Sequence, residues 1–180
     1  MKKVYLIRHC LPDFPDGVRM CLGVTDLPLG PAGLLQASNM AAALPPVTAV
    51  FSSPLSRAIQ TARAIGLPVT VLENLRELNA GEWDGLTFAQ IQARYPELFA
   101  ARGTNPDLPL PGGEDHAQGL SRFLEAMNTA AERSDGDLAV VAHGGVMAEF
   151  LRFVTGTRRK PDYGEIIPLY WENGAFYPTP

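Results

Sequence analysis

The sequence predicts an α/β fold: a three-layer αβα sandwich with a mostly parallel central sheet and helices on both faces. Two observations predict it. Short, wholly apolar runs alternate along the chain with longer segments whose apolar residues recur every three or four positions. That is the pattern of strands covered on both faces by crossover helices. The 180 residues are also 46% apolar and 19% charged, an ordinary globular balance that suffices for one domain with a full core.

The first strand is Val4–Ile7. It follows two lysines, as a signal peptide would, but Arg8-His9 ends the apolar run after four residues, far short of a secretory core. Further strands are expected at Val47–Phe51, Val69–Leu72 and Leu138–Ala142, with Ile166–Trp171 as an antiparallel edge. A helix is expected after Val47–Phe51, with Ser53 as its cap, Pro54 at its first position and Leu55, Ala58, Ile59, Ala62 and Ile65 on one face. A second begins near Glu114, which caps or starts it, and carries the stripe Ala117, Leu120, Leu124, Met127 and Ala131. A third follows His143 and turns Met147, Phe150, Leu151 and Val154 inward. The region at about 74–113 is less regular, holds one helix around Thr87–Tyr95, and ends in the Pro- and Gly-rich loop Pro106–Gly113. The expected organisation is therefore a single domain over 1–180 with an insertion at about 74–113.

A net charge of −4 argues against nucleic acid as a partner, and no run of 18 uncharged apolar residues exists to span a membrane. Cys10 and Cys21, without a secretion signal, fit a reduced, cytoplasmic protein. Twelve arginines stand against three lysines. Arginine is the better bidentate ligand for phosphate, although a coding bias explains the ratio equally well.

Three strand ends gather polar groups. Arg8-His9 closes the first strand, Arg57 lies in the first turn of the helix after the second, and His143 closes Leu138–Ala142 just before Gly144-Gly145. In open α/β sheets, ligands bind beyond the carboxyl ends of the strands, where helix N-termini also point. Two histidines and two arginines can converge there on one anion, with Gly144 and Gly145 letting the backbone come close. Taken singly, a histidine after a strand is more often structural, and Arg57 could be a surface residue. The joint placement favours function, but spacing alone leaves hydrolysis, transfer and simple binding open.

Five blocks in order carry a resemblance: Leu6-Ile7-Arg8-His9, then Ser52 to Ala62 (SSPLSRAIQTA), Leu75 to Gly85 (LRELNAGEWDG), Pro111-Gly112-Gly113-Glu114, and Val141-Ala142-His143-Gly144-Gly145. Together they resemble the histidine phosphatase superfamily, which includes the cofactor-dependent phosphoglycerate mutases. The resemblance implies that His9 attacks phosphorus and forms a phosphohistidine. It implies that Arg8, Arg57 and His143 hold the phosphoryl oxygens, with Gly144 beside them. Glu77 would protonate the leaving oxygen and then activate water, with Glu82, Asp84 and Glu114 as nearby rivals. It implies no cofactor and no metal. The expected partner is a small phosphorylated metabolite, with no nucleic acid and no membrane, and a homodimer is possible.

The chain departs from the family at Cys10, where glycine is usual, and at Pro15, where an asparagine often touches phosphate. The loop Leu11–Leu22 is rebuilt, with Arg19 or a backbone group as candidate replacements, before Gly23–Leu29 resembles the family again. Only 65 residues, 78 to 142, separate Glu77 from His143. That brevity favours a phosphatase, similar to the small alpha-ribazole phosphatase type, over a mutase-like phosphotransferase or a phosphate-binding member of low activity.

Overall fold

The computed structural model describes residues 1–179. Six strands form one sheet: β1 (Lys2–Arg8), β2 (Ala49–Ser52), β3 (Val69–Val71), β4 (Leu138–Ala142), β5 (Ile166–Glu172) and β6 (Ala175–Pro178). Their spatial order is β3-β2-β4-β1-β5-β6. The first four in that order run parallel, β5 is antiparallel to β1, and β6 is antiparallel to β5. All five residues of β4 are buried, as its Leu-Ala-Val-Val-Ala sequence requires of a strand covered on both faces.

Alternation along β4 divides the core. Leu138, Val140 and Ala142 face one layer with Val4 and Leu6, against Phe123, Met127 and Ala130 of α5 (His116–Arg133) and Met147, Phe150 and Leu151 of α6 (Gly144–Thr155). Ala139 and Val141 face the other layer with Ile7 and Val50, against Met40 of α1 (Pro31–Ala43) and Ala58 and Ala62 of α2 (Ser56–Arg63). Phe123 and Phe150 are fully buried and meet edge-on with centroids 5.4 Å apart. Each such side chain contributes about 1.5–3 kcal/mol by leaving water. The expected three-layer sandwich is therefore the observed one.

Several local expectations are corrected. Ile166–Trp171 is antiparallel but is not the edge, because β6 pairs outside it across the turn Asn173-Gly174, where both residues have positive φ (50° and 82°). The α2 helix starts at Ser56 rather than Pro54, because Ser53 N–H still bonds Val141 in the sheet and the Asp26 carboxylate caps Ser56 N–H and O–H instead. Asp115, not Glu114, caps α5, and Ala117 at its start is exposed. Two further helices complete the chain, α3 (Phe88–Arg94), with a capping box from Thr87 and Gln90, and the unforeseen α4 (Pro96–Thr104). Both belong to the insertion, several of whose side chains wall a cavity at the carboxyl end of β1.

Candidate active site

The parallel pairing of β1, β4 and β2 brings their carboxyl ends side by side. His9 follows β1, donates its backbone N–H to Ala142 O (2.9 Å), and is buried. Its Nδ1 lies 2.8 Å from Cys10 O. A carbonyl only accepts, so Nδ1 carries the hydrogen and Nε2 keeps a bare lone pair. Burial, then the charges of Arg57 and Arg8, holds the His9 pKa well below the usual 6.5. The imidazole is therefore neutral at pH 7, as a nucleophile must be.

His143, which follows β4 and precedes α6, lies beside His9 with ring centroids 5.0 Å apart. Its Nε2 is 2.7 Å from Ser53 Oγ, and its buried Nδ1 has no protein partner. Ser53 Oγ accepts from Leu55 N–H at 3.3 Å, which leaves its own hydrogen for His143. Burial first, then the neighbouring His9 and the arginines, depresses the His143 pKa well below 6.5. A neutral ring that accepts from Ser53 must carry its proton on Nδ1, the atom without a partner.

Arg57 is fully buried, although it sits in the first turn of a helix. Its Nη1 and Nη2 donate to Thr25 O (2.8 Å) and Gly23 O (2.9 Å). The Asp84 carboxylate shapes that loop by accepting from the N–H groups of Gly23 (2.7 Å), Val24 (3.1 Å) and Thr25 (2.9 Å). Arg8 donates from Nη1 to Pro161 O (2.6 Å) and stacks on Tyr163, with its guanidinium carbon 3.7 Å from the ring centre. Both arginines keep a buried Nε–H without a protein acceptor. Arg8 Nε, Arg57 Nε and His143 Nδ1 are thus three unpartnered buried donors around a neutral imidazole. Unpaired buried donors are costly, and an anion with several acceptor oxygens would satisfy all three.

Glu77 is buried and lines the cavity in front of His9. Its oxygens accept from Leu78 N–H (2.8 Å), Gly145 N–H (2.7 Å) and Val146 N–H (2.7 Å), the last two at the N-terminus of α6. A Cβ at Gly145 would stand 2.7 Å from Glu77 Oε1, and one at Gly144 would stand 2.7 Å from Lys160 Cε and 2.9 Å from Arg8 Nε. The two glycines therefore make room for the side chains of Glu77, Lys160 and Arg8. The rival carboxylates are engaged elsewhere: Glu82 with Tyr95 O–H, Asp84 with the Arg57 loop, and Glu114 with Arg122.

The profile of the histidine phosphatase superfamily (branch 1) matches residues 4–165. The chain belongs to this superfamily. It is 30% identical over 171 residues to the glucosyl-3-phosphoglycerate phosphatase of Mycolicibacterium vanbaalenii, covering 87% of this chain and 75% of that one. Among solved structures, mycobacterial glucosyl-3-phosphoglycerate phosphatase complexed with VO3 superposes with a TM-score of 0.82 at 27% identity, covering 94% of this chain and 93% of the other. YhfR of Bacillus stearothermophilus gives 0.86 at 26% identity, covering 98% and 95%. Alpha-ribazole phosphatase from Shigella flexneri shares the fold, with a TM-score of 0.81 at 22% identity over 98% and 94% of the two chains. Histidine phosphatases named for phosphatase activity thus stand among its relatives.

In this member of the superfamily, the structure brings together Arg8, His9, Arg57, Glu77, His143 and Gly144. It adds residues that sequence reasoning missed: Ser53 behind His143, Tyr163 under Arg8, and Lys160 in the cavity. Ser53 lies within the SSPLSRAIQTA block, whereas Tyr163 and Lys160 belong to the loop after α6, which carries no pattern. Arg19 stands exposed at the rim, its guanidinium carbon 5.8 Å from the Tyr163 ring centre. Cys10 is fully buried, and burial raises its thiol pKa, so it stays protonated at neutral pH. Away from this cavity, Asp107, His116 and Glu149 place potential ligand atoms within 4.8 Å of one another. Arg152 bonds Asp107 at 2.7 Å and Arg158 bonds Glu149 at 2.9 Å, so the group is neutralised as an ion-pair network. No helix among the described residues is long and apolar enough to cross a membrane.

Proposed function

We propose that the chain hydrolyses small phosphate monoesters through a phosphohistidine on His9, without a metal. The observation that carries this reading is the neutral His9 ring, its Nδ1 held by Cys10 O, beside Arg8, Arg57 and His143, whose side chains carry three buried N–H groups without protein partners. In the first step Nε2 attacks phosphorus in line, the P–O ester bond breaks, and Glu77 gives its proton to the departing alkoxide. Arg8, Arg57 and His143 stabilise the charge on the equatorial oxygens. In the second step Glu77, now ionised, takes a proton from water as its oxygen attacks phosphorus and the P–N bond breaks, releasing phosphate. The VO3 complex of the mycobacterial relative supports an oxyanion-binding role for this fold. The short insertion favours water over a second sugar acid as acceptor.

The test is trapping. Enzyme mixed with an aryl phosphate in EDTA and quenched in alkali should carry one phosphoryl group on the His9 peptide. Label on Cys10, or turnover that stops in EDTA and returns with magnesium or zinc, would overturn the proposal.

A further inference from the structure

Glu77 stands on irregular chain between two short 3₁₀ turns, Glu73–Leu75 and Gly81–Trp83. Side chains borne on such chain are placed less exactly than those on helices or strands. The carboxylate end of Glu77 is fixed by α6, through the N–H groups of Gly145 and Val146. Its backbone end needs a separate hold.

Arg122 of α5 supplies that hold. A guanidinium offers five N–H donors in a planar fork, and Arg122 uses all of them. Nη1 donates to Asn74 O (2.9 Å) and Arg76 O (2.8 Å), and Nη2 donates to Glu77 O (3.0 Å). Neither Arg76 O nor Glu77 O has another protein donor among the described residues. The remaining donors, Nε and the second Nη2 hydrogen, go to the two oxygens of Glu114 (2.6 and 2.8 Å). The side chains of this ion pair are only 11% and 14% exposed, so salt screens it little. Glutamine at 114 would keep one oxygen for the guanidinium, so the fork stays oriented without the Glu114 charge.

About one helical turn before Arg122, Gly119 receives the residue that follows Glu77. A Cβ at Gly119 would collide with Leu78 Cδ2. The α5 helix therefore grips both sides of Glu77, by hydrogen bonds to the carbonyls that lead up to it and by close packing on Leu78.

We infer that Arg122 is a positioning residue for Glu77. It does not line the cavity in front of His9, and it acts only through the acid. The α6 amides at the carboxylate and Arg122 at the carbonyl together set where the proton donor stands. Losing Arg122 leaves phosphoryl binding intact and narrows turnover to esters whose leaving group needs no proton. The inference rests on the reading of Glu77 as proton donor, but one of its tests does not.

The experiment compares propyl phosphate with the activated ester 4-nitrophenyl phosphate. Arg122→Lys keeps the charge but not the fork. Its kcat on propyl phosphate should fall about tenfold or more, with KM within about twofold of wild type. Its burst of nitrophenol should keep its rate within about twofold, because that leaving group needs little protonation. Arg122→Ala should show the same split, and millimolar methylguanidinium should restore turnover where methylammonium does not. If Arg122→Ala does not fold, Arg122→Lys carries the comparison alone. In a Glu77→Gln background either substitution should change kcat on propyl phosphate by less than about twofold, because the two residues act as one unit. Equal losses on both esters, wild-type rates in both variants, or a loss undiminished in the Glu77→Gln background overturns the assignment. If no ester turns over, or Glu77→Gln leaves propyl phosphate unaffected, the phosphatase reading or its choice of acid falls, and amide exchange decides the role of Arg122. The N–H groups of Gly145 and Val146, which Arg122 does not touch, should exchange about tenfold faster in Arg122→Lys, while Ala126 N–H in α5 stays protected. Wild-type protection at both, or an equal rise at Ala126, overturns it.

Discussion

Ser53→Ala removes one oxygen from the wall behind His143, with separate consequences for folding and for catalysis. Ser53 is fully buried, and its Oγ lies 2.7 Å from His143 Nε2. Without the hydroxyl, a buried ring nitrogen loses its partner, at about 1–3 kcal/mol of folding stability. The catalytic effect has another origin. The Ser53 proton obliges neutral His143 to hold its hydrogen on Nδ1, which the proposed mechanism directs at a phosphoryl oxygen. Without Ser53 the alternative tautomer is no longer disfavoured, and it would present a lone pair to a phosphoryl oxygen. Losing one preorganised donor to developing negative charge costs about 10²–10³ in kcat, or about 2.7–4 kcal/mol. The assay pairs steady-state kinetics on an aryl phosphate with ¹⁵N spectra of the His143 ring, and denaturant unfolding monitors the fold. Ser53→Ala should lose about a hundredfold in kcat and shift the ring tautomer, while Ser53→Thr should recover most of both. A Ser53→Ala chain within about threefold of wild type in kcat, with Nδ1 still protonated, would refute the tautomer argument.

Glu77→Gln should slow turnover most for esters with poor alkoxide leaving groups. On an activated aryl phosphate it should give a burst of phenol followed by a slow steady state, seen by stopped flow, while Glu82→Gln and Glu114→Gln keep both phases. Folding stability should fall on acidification through pH 6.5, because His9 and His143 have folded pKa values far below their unfolded 6.5, so the unfolded chain binds the extra protons. The limiting slope is twice about 1.36 kcal/mol per pH unit; denaturant titrations between pH 7.5 and 5 check it, and a flat profile contradicts it. For the same reason His9 should not impose an acid limb near pH 6.5 on kcat/KM.

Much of the fold and the site was legible in the sequence because strand and helix periods are local. The apolar run of β4 specifies a strand covered on both faces and the stripes on α5 and α6 specify one covering layer, while the joint placement of Arg8, His9, Arg57 and His143 at strand ends marks a candidate site. What escaped has physical causes. The α1 helix buries only Gly33, Ala37 and Met40 while Leu34 and Leu35 face out, so its stripe is faint. The α4 helix buries nothing. The β6 strand had a usable signal, the Asn173-Gly174 pair typical of a tight hairpin. The α2 start was misplaced because Ser53 looks like a cap, whereas its hydroxyl serves His143 across 90 positions of sequence. Lys160 and Tyr163 enter the site only through the tertiary course of the chain after α6.

That course also explains how the chain accommodates Cys10. Its φ is not positive, since Asp16 and Asn173 are the non-glycine residues with positive φ among those described, so a side chain fits without backbone strain. The sulfur needs space instead, and Gly164 provides it: a Cβ there would stand 3.2 Å from Cys10 Sγ. Gly164 N–H donates to Arg8 O (3.0 Å), and Arg8 N–H donates to Glu165 O (3.2 Å). Gln36 clasps the same region, accepting from Leu11 N–H (2.9 Å) and donating to Tyr163 O (2.6 Å). The segment after α6 is thereby fastened along β1 and the rebuilt loop, with Pro161 O and Tyr163 orienting Arg8 and Lys160 reaching the cavity. A buried, protonated Cys10 is thus a packing element next to His9. It packs the end of β1 against the loop that carries Lys160 and Tyr163.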